Sequence, residues 1–212
     1  MSEQVKVFSK NRSFLKIVDK SDHHKKMMQE FFKKGKVSTH HRHSKILFLT
    51  SQGKLILQKR SKWKGDNPGV WDKTVGGHLF RNETFDFCAV RESAEELQIP
   101  STVILKKDLS QALKLVDLDV MGLMFLLKLD KKDISERKLP SGKTWKEPSP
   151  TAFYLGYYDG PIRFETKEAS GFRISTLSEI KKEIKENPKA FTIDLIKIIK
   201  RWEKFIKPLK LK

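Results

Sequence analysis

The stretch from Gly77 to Ile99, GHLFRNETFDFCAVRESAEELQI, constrains this chain more than any other. From Glu83 to Leu97 it contains neither Gly nor Pro. Asn82 is the expected N-cap, and Glu83 directly after it suits the positive end of a helix dipole. The stretch therefore predicts a helix of about four turns. At roughly 100° per residue, Phe87, Val90, Ala94 and Leu97 gather on one side, with Glu92, Glu95 and Glu96 nearly opposite. Spacings of three and four set those carboxylates side by side, where like charges repel. A fold gains nothing from such repulsion. A hard divalent cation converts it into binding, because carboxylate oxygens are what Mg²⁺ and Mn²⁺ select. Acidic helix faces are commonly just solvated. This one has Gly76-Gly77 upstream, then Glu83, and Arg91 directly before Glu92.

Those positions resemble the signature of the Nudix hydrolase superfamily. It runs Gly, five residues, Glu, seven residues, Arg-Glu, an apolar residue, any residue, Glu-Glu, any residue, Gly and an apolar residue. Gly77, Glu83, Arg91, Glu92, Glu95, Glu96 and Ile99 fall at those spacings. Ser93 stands where an apolar residue is usual, and Gln98 where a Gly usually permits a left-handed C-cap; Pro100 is the expected stop instead. The resemblance implies an α/β/α sandwich with a mixed β-sheet and a loop-helix-loop box. It implies Mg²⁺ or Mn²⁺ held by Glu92, Glu95 and Glu96, with the Gly76 carbonyl and Glu168 added as ligand or base. It implies that Arg91 and Glu83 bridge the helix to the preceding loop and orient Glu92. The expected reaction is attack of water on a diphosphate linkage in a nucleoside diphosphate derivative. Lys59 and Arg60 are candidates for the substrate phosphates, and Trp71 and His78 for the pocket wall, although a core Trp and surface charges at a strand end are the plain alternatives.

The front half extends the resemblance to a group close to the isopentenyl-diphosphate isomerases, which shares a His-Arg before the first long strand, a Gln-Lys-Arg at the end of the next, and Pro-Gly-x-Trp before Gly-Gly-His. Those isomerases hold a second metal with His and acidic residues, and His41 and His78 fall near such positions. They also need a Cys close to Gly76 for proton transfer to carbon. Gly76 itself stands there, and Cys88 reads as a small buried thiol, so hydrolysis is the expected chemistry. For His41 and His78 a satisfied structural role is expected in preference to zinc.

A chain of 212 residues with 38% hydrophobic and 33% charged residues suits one domain with extensions. No run reaches the length of a membrane span. The first twenty residues lack the apolar core of a secretory signal, and a single Cys fits a reducing compartment, so a cytoplasmic location is expected. The net charge of +18 concentrates at the ends: residues 1–44 and residues 181–212 each hold 11 Lys and Arg against 4 acids. That excess favours polyanionic partners, a phosphorylated small molecule first and RNA second. An RNA- or nucleotide-binding module without turnover is the third reading, opposed by the intact carboxylates.

The expected organisation is a basic N-terminal extension over residues 1–40, with a strand at Phe14–Val18 and a helix capped by Ser21 or Asp22, packed on the domain. A Nudix domain follows over 41–206 and a basic tail over 207–212. Strands are expected at 45–49, 54–58, 71–75, 103–105, 122–129, 151–158 and near 167–175, with helices at 177–184 and 191–206. In the last, Ile193, Ile196, Ile199 and Trp202 form the stripe. Residues 130–150 are polar and carry three Pro and a Gly; they read as a long excursion.

Overall fold

Every residue from His43 to Leu49 is buried, and a strand buried on both sides needs cover on both faces. In the computed structural model, which describes residues 3–164 and 167–209, that cover is a layer of helix on each side of one mixed sheet. The elements in chain order are β1 (Gln4–Ser9), β2 (Phe14–Asp19), α1 (Lys20–Lys34), β3 (Thr39–His40), β4 (His43–Leu49), β5 (Leu55–Arg60), β6 (Trp71–Asp72) and β7 (Val75–His78). Then come α2 (Phe85–Leu97), β8 (Ser101–Val103), α3 (Leu109–Ala112), β9 (Gly122–Asp130), β10 (Ile134–Lys138), β11 (Thr144–Pro148), β12 (Thr151–Tyr157), β13 (Ala169–Ser175), α4 (Leu177–Glu186) and α5 (Ile193–Trp202).

The large sheet runs β13-β5-β4-β12-β9-β8, with β6 on β5 and β7 on β4. β4 pairs in parallel with β12, and β8 with β9; the other pairings are antiparallel. Side chains alternate along a strand, so β4 sends Ile46 and Phe48 to one layer and Leu47 and Leu49 to the other. The first layer holds Val75, Met124 and Tyr154 under Ala89 and Leu97 of α2. The second holds Leu57, Phe125 and Phe153 under Ile180 of α4 and Leu195, Ile198 and Ile199 of α5. This is the expected α/β/α sandwich. Before it, β2-β1-β3 form a separate three-stranded sheet. β1, which the sequence reading missed, buries Val5, Val7 and Phe8.

Several expectations shift for identifiable reasons. Thr84, not Asn82, caps α2, its Oγ1 accepting from the Phe87 N–H at 3.1 Å. Glu83 is drawn back instead, accepting from the Phe80 N–H at 2.9 Å. The buried face of α2 is Cys88, Ala89, Ser93 and Leu97, while Phe87 is 59% exposed; the polar Ser93 fits there by donating to the Ala89 carbonyl at 2.7 Å. Asp19 caps α1 by accepting from the N–H groups of Ser21 and Asp22. The expected 71–75 strand is two pieces. Between them Thr74 is fully buried and turns its hydroxyl to the Ile56 carbonyl while accepting from the Phe48 N–H. In α5 the stripe is Leu195, Ile198 and Ile199, with Ile193 exposed, because Asp194 points inward to Lys45. Residues 130–150 are no irregular excursion. β10 and β11 pair in register from Ile134↔Pro148 to Lys138↔Thr144 around a turn closed by Leu139 and Lys143. Of the basic tail, residues 207–209 lie against the sheet end, with the Leu209 N–H donating to the Ser51 carbonyl at 2.8 Å; residues 210–212 lie outside the described residues.

Gln98 resolves the missing glycine. It occupies the left-handed region itself, φ 51° and ψ 36°, and its N–H donates to the Ala94 carbonyl. The C-cap geometry is thus kept without the residue that adopts it most cheaply. A non-glycine residue in this region costs about 1 kcal/mol. Gln98→Gly is therefore expected to raise stability by roughly that amount in urea denaturation, and Gln98→Val to lower it.

Candidate active site on the strand and helix of the box

The site begins where β7 meets α2. A Cβ built on Gly77 would lie 1.8 Å from Oε1 of Glu92. Only glycine lets the Glu92 carboxylate rest directly against the strand backbone. Arg91 then locks the helix to the loop before it. Its Nε donates to Glu83 Oε1 at 2.6 Å, and its Nη2 donates to Glu83 Oε2 at 3.0 Å and to the His78 carbonyl at 3.1 Å. Nη2 also stands 3.0 Å from Glu92 Oε1, and the guanidinium lies 3.9 Å over the Phe80 ring. The bidentate fork onto Glu83 is the arrangement for which Arg, not Lys, is suited.

The acidic trio divides. Glu95 is exposed and accepts from Arg91 Nη1 at 2.7 Å. Glu92 and Glu96 turn toward the sheet, where Gln58 Nε2 of β5 donates to Glu96 Oε2 at 3.1 Å. Burial, then proximity to Glu92, pushes the Glu96 carboxyl up to about 8, with Lys64 and Lys73 opposing. Burial likewise lifts Glu92 to about 6 against the pull of Arg91. Two carboxyls held at raised pKa beside each other form a set that a divalent cation would ionise and satisfy. Glu168, just before β13, faces Glu96 and is ion-paired with Lys64 from the 61–70 loop. The residues present thus fit Mg²⁺ or Mn²⁺ at Glu92 and Glu96, with Glu168 close by and Glu95 at the rim.

The expected substrate contacts fare unevenly. Arg60 is turned to its own loop: its guanidinium donates to the Asp66 carboxylate at 2.7 Å and to the carbonyls of Asp66 and Asn67. Lys59 lies over the Trp71 ring at 5.4 Å, and Arg173 covers the same ring at 4.4 Å. Trp71 packs on the α4–α5 layer and its carbonyl accepts from the Thr192 N–H at 2.8 Å, the core role named as its alternative. The cations that do face Glu96 are Lys64 and Lys73, which the sequence reading missed. Lys73 is 9% exposed, and its Nζ stands 3.1 Å from the buried Asp72 carboxylate. A spare Lys beside the glycine pair was the one available signal.

Lys73 also bears on the isomerase comparison. A Cβ at Gly76 would stand 2.5 Å from Lys73 Cε, the movable end of a long side chain, so what separates this position from the isomerase pattern is the missing thiol and not a lack of room. Cys88 offers no replacement: burial, then Glu92, pushes its thiol up to about 12.

The histidines gather in one cluster around a buried carboxylate. His41 and His78 meet His24 of α1 and Glu147 of β11. His41 has no exposed surface; its Nε2 stands 2.9 Å from Glu147 Oε1, and its Nδ1 is buried without a partner. Burial holds His41 below its ordinary range and His78 well below it, so both stay neutral. His24 and Glu147 lie 17 residues before and 106 after His41, and no local pattern in the sequence joins them.

With fold and site in place, the class is clear. The NUDIX domain model matches residues 39–194, and this chain belongs to the Nudix hydrolase family. Among curated proteins it is 34% identical over 64 residues to an isopentenyl-diphosphate Delta-isomerase of Streptomyces griseus, covering 30% of this chain and 32% of that one. It is 39% identical over 59 residues to an uncharacterized Nudix hydrolase of Pseudomonas aeruginosa, covering 28% and 35%. The chain thus spans about a third of the length of the curated relatives it matches. Among solved structures it is similar to a Deinococcus radiodurans protein, DR0079, at TM-score 0.62 and 19% identity, covering 94% of this chain and 98% of that one. It is also similar to the NUDIX domain of Shewanella oneidensis NrtR, complexed with ADP ribose, at TM-score 0.52 and 13% identity over 84% and 98%. At those identities the likeness is one of fold. Among the described residues, no helix is long and apolar enough to cross a membrane.

Proposed function

We propose that this chain is a divalent-metal-dependent pyrophosphohydrolase that cleaves a diphosphate linkage in a nucleoside diphosphate derivative. The observation that carries the reading is the pairing of Glu92 and Glu96 at raised pKa, with Glu92 resting on Gly77 where a Cβ would strike it. Glu92 and Glu96 would hold the ion, with the Gly76 carbonyl and Glu168 completing the set and Glu95 available at the rim. When bound, the ion supplies charge neutralisation for phosphate oxygens and lowers the pKa of a coordinated water. The chain's own part is positional. Arg91 and Glu83 fix the helix and so the Glu92 carboxylate, while Gln58 fixes Glu96. Glu168, if not a ligand, would serve as the base for the attacking water, and Lys64 and Lys73 would bring positive charge toward the phosphates.

The test is a product assay with Mg²⁺ or Mn²⁺ over nucleoside diphosphate sugars, dinucleoside polyphosphates and prenyl diphosphates, with ADP-ribose included because the Shewanella domain binds it. Release of two phosphorylated products from a nucleotide substrate is expected. No release from any member of the panel refutes the reading. Isomerisation of isopentenyl diphosphate in the same panel would favour the isomerase that the 64-residue match suggests, against the absence of a Cys at Gly76.

A further inference from the structure

The far end of the sheet carries a recess that the carboxylate pair does not use. β12 pairs Leu155 with Leu47 and Tyr157 with Leu49, whereas Gly76 and Gly77 pair with Lys45 and Ser44 at the start of β4. At about 3.3 Å per residue, Ser44 and Leu49 stand roughly 16 Å apart. Beside Leu155 and Tyr157, on the face covered by α4 and α5, lies a cavity of about 500 Å³. Its floor is Phe125, Leu155 and Tyr157, each no more than 3% exposed. One wall is Leu109 and Leu113, on α3 and just after it; the other is Phe205 and Leu209. The second wall is fastened in place. The Tyr157 hydroxyl donates to the Lys207 carbonyl at 3.2 Å, and the Leu209 N–H to the Ser51 carbonyl at 2.8 Å.

The charge at the mouth sets this recess apart. Lys106, Lys204 and Lys207 line it and are exposed, and among the described residues no Asp or Glu lines it. Among the described residues these three lysines make no ion pair; Glu203, next to Lys204, is drawn off to Lys181 of α4 at 2.6 Å. Lys106 Nζ lies instead 4.4 Å from the centre of the Phe205 ring and 5.7 Å from that of Phe125, and Lys204 Nζ lies 5.2 Å from Phe205. At an exposed site an ammonium is held only weakly by a ring, so these cations are free to turn to an anion. A polyanion would meet the lysines and leave the recess empty. An uncharged chain would fill the recess and leave the lysines unmatched.

We propose that this recess binds an amphiphile of one apolar chain and one anionic head, a carboxylate or a phosphate ester. The chain lies on Phe125 and Leu155, and the head sits among Lys106, Lys204 and Lys207. The volume agrees: a water molecule takes about 30 Å³ in the liquid, a methylene is of similar size, and a chain of about ten carbons therefore fits with room for its head. The site stands independently of the reaction proposed for the carboxylate pair.

The experiment is calorimetric titration of the full chain with inorganic phosphate and, below their micellar ranges, with decanoate, octanoate and decyltrimethylammonium. Decanoate is expected to bind one molecule per chain, about 10-fold tighter than octanoate, since each buried methylene is worth a factor of about four. Decyltrimethylammonium and inorganic phosphate are expected to bind about 10-fold more weakly than decanoate, or less. Lys106→Glu/Lys204→Glu is expected to lower decanoate affinity about 10-fold or more and to leave decyltrimethylammonium bound at least as well. Both lysines are exposed, and circular dichroism checks that the variant folds. Leu113→Trp fills the recess from its wall and is expected to abolish decanoate binding, whereas Glu96→Gln is expected to bind decanoate as the wild type does. No binding of decanoate, equal affinity for the anionic and cationic amphiphiles, or phosphate bound as tightly as decanoate would each overturn the proposal. So would decanoate affinity untouched by the lysine variant, or lost in Glu96→Gln.

Discussion

Glu96→Gln is expected to reduce metal-dependent hydrolysis by about 10³-fold, because it removes one of two enclosed anionic ligands and several kcal/mol of charge stabilisation with it. The same substitution is expected to raise the melting temperature of the metal-free protein near pH 8, on the order of 5 °C. The sign follows from linkage. The Glu96 carboxyl titrates at about 8 in the fold against 4.5 when unperturbed. Between those values the unfolded chain has lost the proton that the folded chain keeps, so stability falls as pH rises through the window. A neutral amide of the same shape escapes that loss and still meets Gln58. Calorimetry at pH 5 and pH 8 without metal checks it: the gain should appear at pH 8 and shrink at pH 5. A metal-free variant less stable than wild type at pH 8 would contradict the raised pKa, and undiminished turnover would remove Glu96 from the site.

Arg137→Met carries the second largest expected effect, a loss of about 3–5 kcal/mol, or on the order of 10 °C in melting temperature. Arg137 ties Asp66 of the 61–70 loop, at 2.5 Å, to the fully buried Glu147. Removing it leaves a carboxylate in the interior with no cation to match. The cost is that of an orphaned charge, so it should be recovered in part by Arg137→Met/Glu147→Gln, measured in metal-free protein. Equal losses in the single and double variants would locate the effect in packing instead.

The box was legible because its chemistry is written at helical spacing: Glu83, Arg91, Glu92 and Glu96 fall within one short stretch. The strands around β4, β9 and β12 were equally readable as continuous apolar runs. Long-range contacts were not. Lys73 reaches the site through a break between β6 and β7 set by Thr74, and Lys64 through its ion pair with Glu168. His24 and Glu147 converge only once α1 is laid on β11. The β10–β11 hairpin was hidden for a related reason. Its inward groups, Ser135, Trp145 and Glu147, are mostly polar, so alternation of hydrophobicity did not mark it, although the alternation of buried and exposed positions is there. The apolar face assigned to α2 held at Val90 and Leu97 and not at Phe87, which is left in solvent as Glu92 and Glu96 turn to the sheet side of that helix.

That hairpin has a bearing on how such a protein diversifies. Polar insertions between strands usually drift freely, since they owe little to the rest of the fold. This one is moored on three sides: to the 61–70 loop through Asn67 and Asp66, to α5 through Glu136 with Lys197, and to α1 through Glu147. Exchanging it to alter selectivity would unfasten all three at once. The less encumbered ground is Lys62 and Trp63, both exposed, just before Lys64 and its ion pair with Glu168. If the proposed hydrolysis holds, selectivity would be more safely altered at those two positions, with the hairpin held constant as an abutment.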